Sequence, residues 1–133
     1  MFEGPEGDRL SIRELIDSYS DAVMRGDADA WGATWAEDGI WQFRSGTISG
    51  RAAIVETWTK AMTGFRSVVF MAFPGSIALA GDTATIVTHT FEHLDPVEGA
   101  PRFQAGIYQD VARRTADGWR FARRTFTSRE IHL

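Results

Sequence analysis

The chain has 133 residues, a net charge of −4 and no cysteine. A single domain is expected at this length, burying about 68% of the unfolded chain's surface, which supports a core without disulfides or a structural metal. The lack of cysteine excludes thiol catalysis, cysteine-ligated clusters and a disulfide-built secreted scaffold. No apolar run approaches the roughly 20 residues of a membrane span and no charged-then-apolar leader opens the chain, so a cytoplasmic protein without membrane contact is expected.

Residues 1–7, "MFEGPEG", read as a frayed terminus. A first helix follows with Asp8 or Ser11 as its N-cap, Ser11 and Glu14 standing at capping-box spacing. Its apolar stripe is Ile12, Leu15, Ile16, Tyr19, Ala22 and Val23, the i, i+3, i+4, i+7 pattern of one buried face, which leaves Asp17 and Asp21 toward water. Gly26 ends this helix, and Asp27 caps a short second one carrying Trp31 and Trp35. "AEDG" turns the chain into the strand "IWQFR", where Ile40, Gln42 and Arg44 alternate with Trp41 and Phe43. Gly50 leads into a third helix through about Thr63, with Ile54, Trp58, Ala61 and Met62 on one face.

The remainder reads as strand: "SVVFMAF", then "SIALA", then a Gly81-Asp82 turn into "TATIVTHTFEHL". After "DPVEGAP" come "RFQAGIYQDVARR", an Asp117-Gly118 hairpin turn and "WRFARRTFTS". Three N-terminal helices followed by an antiparallel meander predict an α+β domain over residues 1–133, one strongly curved, mostly antiparallel mixed sheet wrapped on the helices. The 83–94 strand is apolar on both faces, with Val87 and Phe91 on one and Ala84 and Ile86 on the other, so a homodimer through the sheet's outer face is expected. Arg113, Arg114, Arg120, Arg123, Arg124 and Arg129 alternate with apolar residues, as on a solvated sheet face. With an acidic total, no nucleic-acid partner is expected. Asp110 and Arg124 could brace the last hairpin across its strands.

The tyrosine and "RGD" of "SYSDAVMRGD", then "WAEDGIW", "SGRAAI", "AGDTAT" and the paired "GIYQDVARR" and "DGWRFARR" carry a family resemblance by their order and spacing. Over about residues 9–127 the sequence resembles the SnoaL-like branch of the nuclear transport factor 2-like superfamily. The resemblance implies a cone with a deep, largely apolar pocket, a homodimer, and no metal or organic cofactor. It implies a hydrophobic, oxygenated small molecule as the partner. The chain would then be a cofactor-independent cyclase, isomerase or dehydratase-like enzyme, a non-catalytic binder, or a dimeric partner-binding subunit. Dehydratase-like members carry an aspartate near the end of the first helix and a histidine on the strand after the third. Here those places fall at Met24 or its neighbour, and at Phe70 or Val69. An isomerase-like base would lie close to Phe43, and only the isomerase-like helix tyrosine is retained, as Tyr19. The pocket is therefore expected to lack a base poised near neutral pH.

Tyr19 points inward from the helix stripe, where a phenol can stabilise charge developing on a carbonyl or satisfy a structural hydrogen bond. His89 and His93 are four residues apart on a strand, about 13 Å. Zinc–nitrogen bonds are about 2 Å, so no metal site is expected there. His89 shares a face with Val87, Phe91 and His93, while Ala84, Ile86, Thr88, Thr90 and Glu92 form the other. Which face lines the cone is open, and His89 is accordingly a candidate acid–base group or an outer-face histidine. Trp35, Trp41, Trp58, Met62 and Phe70 are candidate wall residues, and Gln104 and Tyr108, of one strand parity, are candidate polar contacts.

Overall fold

Glycine and aspartate decide where the first helices stop. The computed structural model describes residues 1–131, beginning with β1 (Phe2–Glu3), α1 (Glu6–Arg25) and α2 (Ala28–Gly32). Gly26 ends α1 at φ 65°, a left-handed conformation that disfavours any residue with a Cβ. Asp27 then caps α2, its carboxylate accepting from the Ala30 N–H at 2.9 Å. The predicted α1 stripe is buried, and Asp17 and Asp21 are exposed.

Two expectations for the N-terminus change. The first residues are not frayed: Phe2 and Glu3 pair in parallel with Ile77 and Ala78. The helix starts at Glu6 with Pro5 as its N-cap, so neither Asp8 nor Ser11 caps it. Proline suits that position because its ring presets φ and the N–H it lacks would have no helical partner there. Asp8 instead pairs with Arg114 at 3.0 Å and accepts from Trp119 Nε1 at 3.2 Å, tying the helix to the last hairpin.

The chain continues through β2 (Trp35–Phe43), β3 (Gly46–Ser49), α3 (Arg51–Met62), β4 (Phe65–Ala80), β5 (Thr83–Pro96), β6 (Arg102–Thr115) and β7 (Gly118–Arg129). These strands form a seven-stranded sheet in the order β1-β4-β5-β6-β7-β2-β3. The β4–β7 meander is antiparallel, while β1 joins β4 and β2 joins β7 in parallel. Trp35 thus opens β2 and does not ride on the second helix. The runs predicted as two strands are one: β4 passes through a bulge at Gly75 that moves the inward set from Val68 and Phe70 to Ile77. Pro74 is tolerated because β1 reaches only Ile77 and Ala78, leaving this edge of β4 without a ladder partner at Pro74.

The sheet curls round the helices, and its even-numbered β5 positions face in: Ala84, Ile86, Thr88, Thr90 and Leu94 are all buried. A second bulge shapes β7. Phe121 pairs with Ala112 and Arg123 with Val111, which leaves Ala122 as the extra residue. Inward positions therefore run Trp119, Phe121, Arg124, and Arg124 is only 1% exposed. The arginine stripe is not a uniformly solvated face, since one of its members is turned into the core.

A candidate small-molecule site inside the cone

The apolar faces of α1 and α3 and the concave face of the sheet do not meet everywhere. Between them lies a cavity of about 220 Å³ whose walls include Val23, Trp41, Trp58, Met62, Phe70 and Phe126. Its polar lining comes from few side chains: Tyr19, Tyr108, Gln104, Glu92 and Arg102. The volume lies below the roughly 300–1,000 Å³ usual for drug-sized ligands, so the space suits a molecule of one or two rings.

Behind the wall is a stack of aromatic rings. Trp31 lies parallel to Trp58 with centroids 4.6 Å apart and meets Tyr19, Trp35 and Trp41 at 5.4, 5.8 and 5.3 Å. Such tilted and stacked contacts add to the apolar burial of large rings and fix their orientation. Trp35 belongs to this second layer: it is fully buried and does not line the cavity.

The inner end of the cavity is held by a buried ion pair. Arg124 Nε and Nη2 donate to the two carboxylate oxygens of Asp110 at 2.8 and 3.1 Å, and the Thr88 hydroxyl donates to Asp110 Oδ2 at 2.8 Å. This is the brace expected from the sequence, on directly paired residues of β6 and β7. The Arg124 guanidinium lies against three rings, 3.9 Å from the centroid of Tyr108, 4.1 Å from Phe121 and 4.4 Å from Tyr19. Burial opposes its charge, but the Asp110 carboxylate more than offsets this and the guanidinium pKa is raised. The cation is therefore permanent.

Above it the Tyr108 hydroxyl accepts from Trp41 Nε1 at 3.0 Å. Burial raises the pKa of both phenols, Tyr19 and Tyr108, and the nearby Arg124 cation only partly opposes it. Both stay protonated across the ordinary pH range, so they can donate hydrogen bonds without supplying a base. Toward the opening, Glu92 lies between Phe70 on β4 and Gln104 on β6. Burial pushes its carboxyl up to about 7, and the Arg102 cation only partly opposes the shift.

The cavity thus brings together seven of the residues singled out in the sequence: Tyr19, Trp41, Trp58, Met62, Phe70, Gln104 and Tyr108. It does not include His89, which sits on the outer face of β5, its ring 5.2 Å from Phe73. Met24 also points away, 51% exposed, and its neighbour Val23 takes the place in the wall. Sequence reasoning missed Glu92 and with it a group that titrates near neutrality. Its strand parity with Ala84, Ile86 and Thr88 was visible, but Val87, Phe91 and the two histidines on the opposite face hid which set turned inward. Among the described residues no group of histidines and acids is arranged to hold a metal ion, and no helix is long and apolar enough to cross a membrane.

A helix-backed, curled sheet enclosing an apolar cavity defines the cone class of α+β domains. Residues 7–125 match the model of the SnoaL-like domain, and the chain belongs to this family within the nuclear transport factor 2-like superfamily. It is 32% identical over 126 residues to an uncharacterised protein of Mycobacterium tuberculosis, covering 90% of this chain and 84% of that protein. An NTF2-like protein with a cystatin-like fold from Novosphingobium aromaticivorans superposes with a TM-score of 0.77 at 32% identity, over 90% of this chain and 80% of that one. A protein of the same organism, provisionally assigned as a scytalone dehydratase, superposes at 0.86 with 18% identity, over 96% and 89%. The last likeness is one of fold alone.

Proposed function

We propose that the chain is a cofactor-independent enzyme of the cyclase, isomerase or dehydratase kind, acting on a small hydrophobic, oxygenated molecule in the cytoplasm. One observation carries the reading. An otherwise aromatic cavity presents two protonated phenols deep inside and, near its opening, a carboxyl without an ion-pair partner among the described residues, an amide and a guanidinium. Apolar walls with a few convergent polar groups, one of them shifted toward neutral pH, are the usual signature of a reaction site. A purely ligand-binding role is favoured by a different observation: Val23 and Phe70 stand in the wall near the places where dehydratase-like relatives carry an acid and a histidine.

Native mass spectrometry of the purified protein, with identification of retained small molecules, tests the reading directly. Tyr19→Phe is expected to change ligand affinity or turnover while leaving the melting temperature nearly unchanged. If the hydroxyl only satisfies a buried group, the variant loses about 1–3 kcal/mol of stability and binds as before. That second pattern would remove Tyr19 from the site.

The outer sheet face supports a homodimer as part of the same proposal. Val69, Met71 and Phe73 on β4, Phe91 on β5 and Phe103 on β6 are each between 42% and 56% exposed. They are contiguous, since Met71 pairs with Phe91, and the Phe91 and Phe103 rings stack at 5.4 Å. A connected apolar patch of this kind marks an association surface. Light scattering is expected to give twice the chain mass for the wild type and the single-chain mass for Phe91→Glu. A monomeric wild type from micromolar to near-millimolar concentration would refute the assignment.

A further inference from the structure

The inward face of β5 changes character toward the opening of the cone. Thr88 is committed to Asp110. Two residues on, the Thr90 hydroxyl is buried without a hydrogen-bond partner, and then comes Glu92. Among the described residues Glu92 forms no hydrogen bond or ion pair, although it lines the cavity between Phe65, Phe70 and Leu94. The cation closest to it in character, Arg102, is paired in register with Leu94 and places its guanidinium over the Phe65 ring at 5.8 Å. The side chain of Gln104, directly opposite Glu92 across the ladder, likewise makes no hydrogen bond among the described residues. A structural carboxylate in an apolar setting is normally paired, and a solvated one normally stands clear of the wall. Glu92 does neither.

We propose that Glu92 is the proton-transfer group of this cavity, acting on the carbon next to the carbonyl of a small, neutral, one- or two-ring ketone. This rests on reading the cavity as a reaction site, and it assigns the acid–base role to a position on β5 where the family resemblance implied none. Glu92 stands four residues along β5 from Thr88, which lies opposite Tyr108. That is about 13 Å of backbone along one wall of the cavity, into which Tyr19, Tyr108 and Glu92 all project. Burial is the main cause of the raised Tyr19 pKa, and the Glu92 charge adds to it in the same direction. A ketone oxygen at the phenols would therefore present its neighbouring carbon toward Glu92.

In the step, a Glu92 carboxylate oxygen takes the proton from that carbon. The C–H electron pair forms the new C=C bond, the carbonyl π pair moves onto oxygen, and the resulting enolate oxygen accepts a hydrogen bond from a phenol. Glu92, now a carboxylic acid, returns the proton to the same carbon or to one further along a conjugated system. Nothing is oxidised or reduced and no co-reactant is consumed. The groups facing Glu92 are Arg102, Gln104 and Tyr108 from β6 and Tyr19 from α1, while β4 and α3 offer Phe70, Trp58 and Met62, which do not titrate. Arg102 favours the ionised form and burial the protonated one, which sets the group near neutrality.

Deuterium wash-in to 2-tetralone, a bicyclic ketone, tests this without knowledge of the natural substrate. Binding is followed by tryptophan fluorescence and exchange by proton NMR in D₂O. Wild type is expected to bind the ketone and accelerate exchange at its α-carbons, with a rate that rises through an inflection near pH 7. Glu92→Gln should still bind but lose about 10²-fold or more of the acceleration, and Glu92→Asp should keep part of it. Undiminished exchange in Glu92→Gln, or binding by wild type without exchange, overturns the role of Glu92 and leaves the cavity reading standing. A wild type that does not bind the ketone overturns both.

Thermal denaturation gives a ligand-free check. The folded chain holds the Glu92 proton up to about pH 7, whereas an unfolded glutamate releases it near 4.5. The contribution is thus fully present below pH 4.5 and is lost as pH rises through 7. Glu92→Gln is expected to remove this downward slope and to be the more stable protein at pH 8. An unchanged slope would place Glu92 in water and overturn the proposal.

Discussion

Asp110→Asn is expected to destabilise the protein by about 3–5 kcal/mol, the range for removing one partner of a buried ion pair. Asp110 and Arg124 are 3% and 1% exposed, and the carboxylate receives two guanidinium bonds and the Thr88 hydroxyl. An amide in its place keeps one acceptor but cannot supply the charge, so the guanidinium would remain buried without a counter-ion and with ring faces as its other contacts. Those contacts help, since a desolvated cation over an aromatic face gains about 2 kcal/mol, but they do not replace a carboxylate. For a chain of this size the loss corresponds to roughly 10–20 °C in melting temperature. The double variant Asp110→Leu with Arg124→Met should lose much less than the sum of the single losses, because it removes both charges together. A single variant within about 1 kcal/mol of wild type would show that water reaches the pair.

Trp31→Ala should be comparably severe. The indole is fully buried and touches four other aromatic rings, so its loss removes both apolar burial and the support behind Trp58. Large-to-small changes of this kind cost about 3–5 kcal/mol when the surroundings cannot collapse. Chemical denaturation reads the loss. Added indole is expected to restore part of the stability by occupying the void, as apolar ligands do in dry engineered cavities. Recovery without ligand, with Trp58 free to fill the gap, would mean that the ring stack is plastic and not a rigid backing for the cavity wall.

The sequence carried the α1 stripe and the Gly26–Asp27 punctuation plainly because each depends on local chemistry: helical spacing, a left-handed turn, a capping carboxylate. The Asp110–Arg124 pair was visible too, as opposite charges placed across a hairpin. What escaped was everything that depends on a bulge or on a distant strand. Gly75 joins two runs that read as separate strands, and β1 pairs with residues more than seventy positions away. The burial of Arg124 could not be read from alternation, because Ala122 interrupts the count. Glu92 escaped for another reason. On a strand with apolar residues on both faces, parity groups the side chains correctly but does not say which group meets the cavity.

Ala122 also determines where the chain can change length. Because it is the surplus residue of its ladder, a chain lacking it would run Phe121, Arg123, Arg124 in plain alternation and still present Arg124 and Phe126 to the interior. Removal of a residue between Arg124 and Phe126 would instead turn Phe126 outward and empty part of the wall. The bulge adds local bend and twist to β7, so shortening the chain at Ala122 would relax curvature while conserving the interior chemistry. The aperture of the cone can in this way drift, through a residue that touches no ligand, while the phenols, the cation and the mouth carboxyl stay in place.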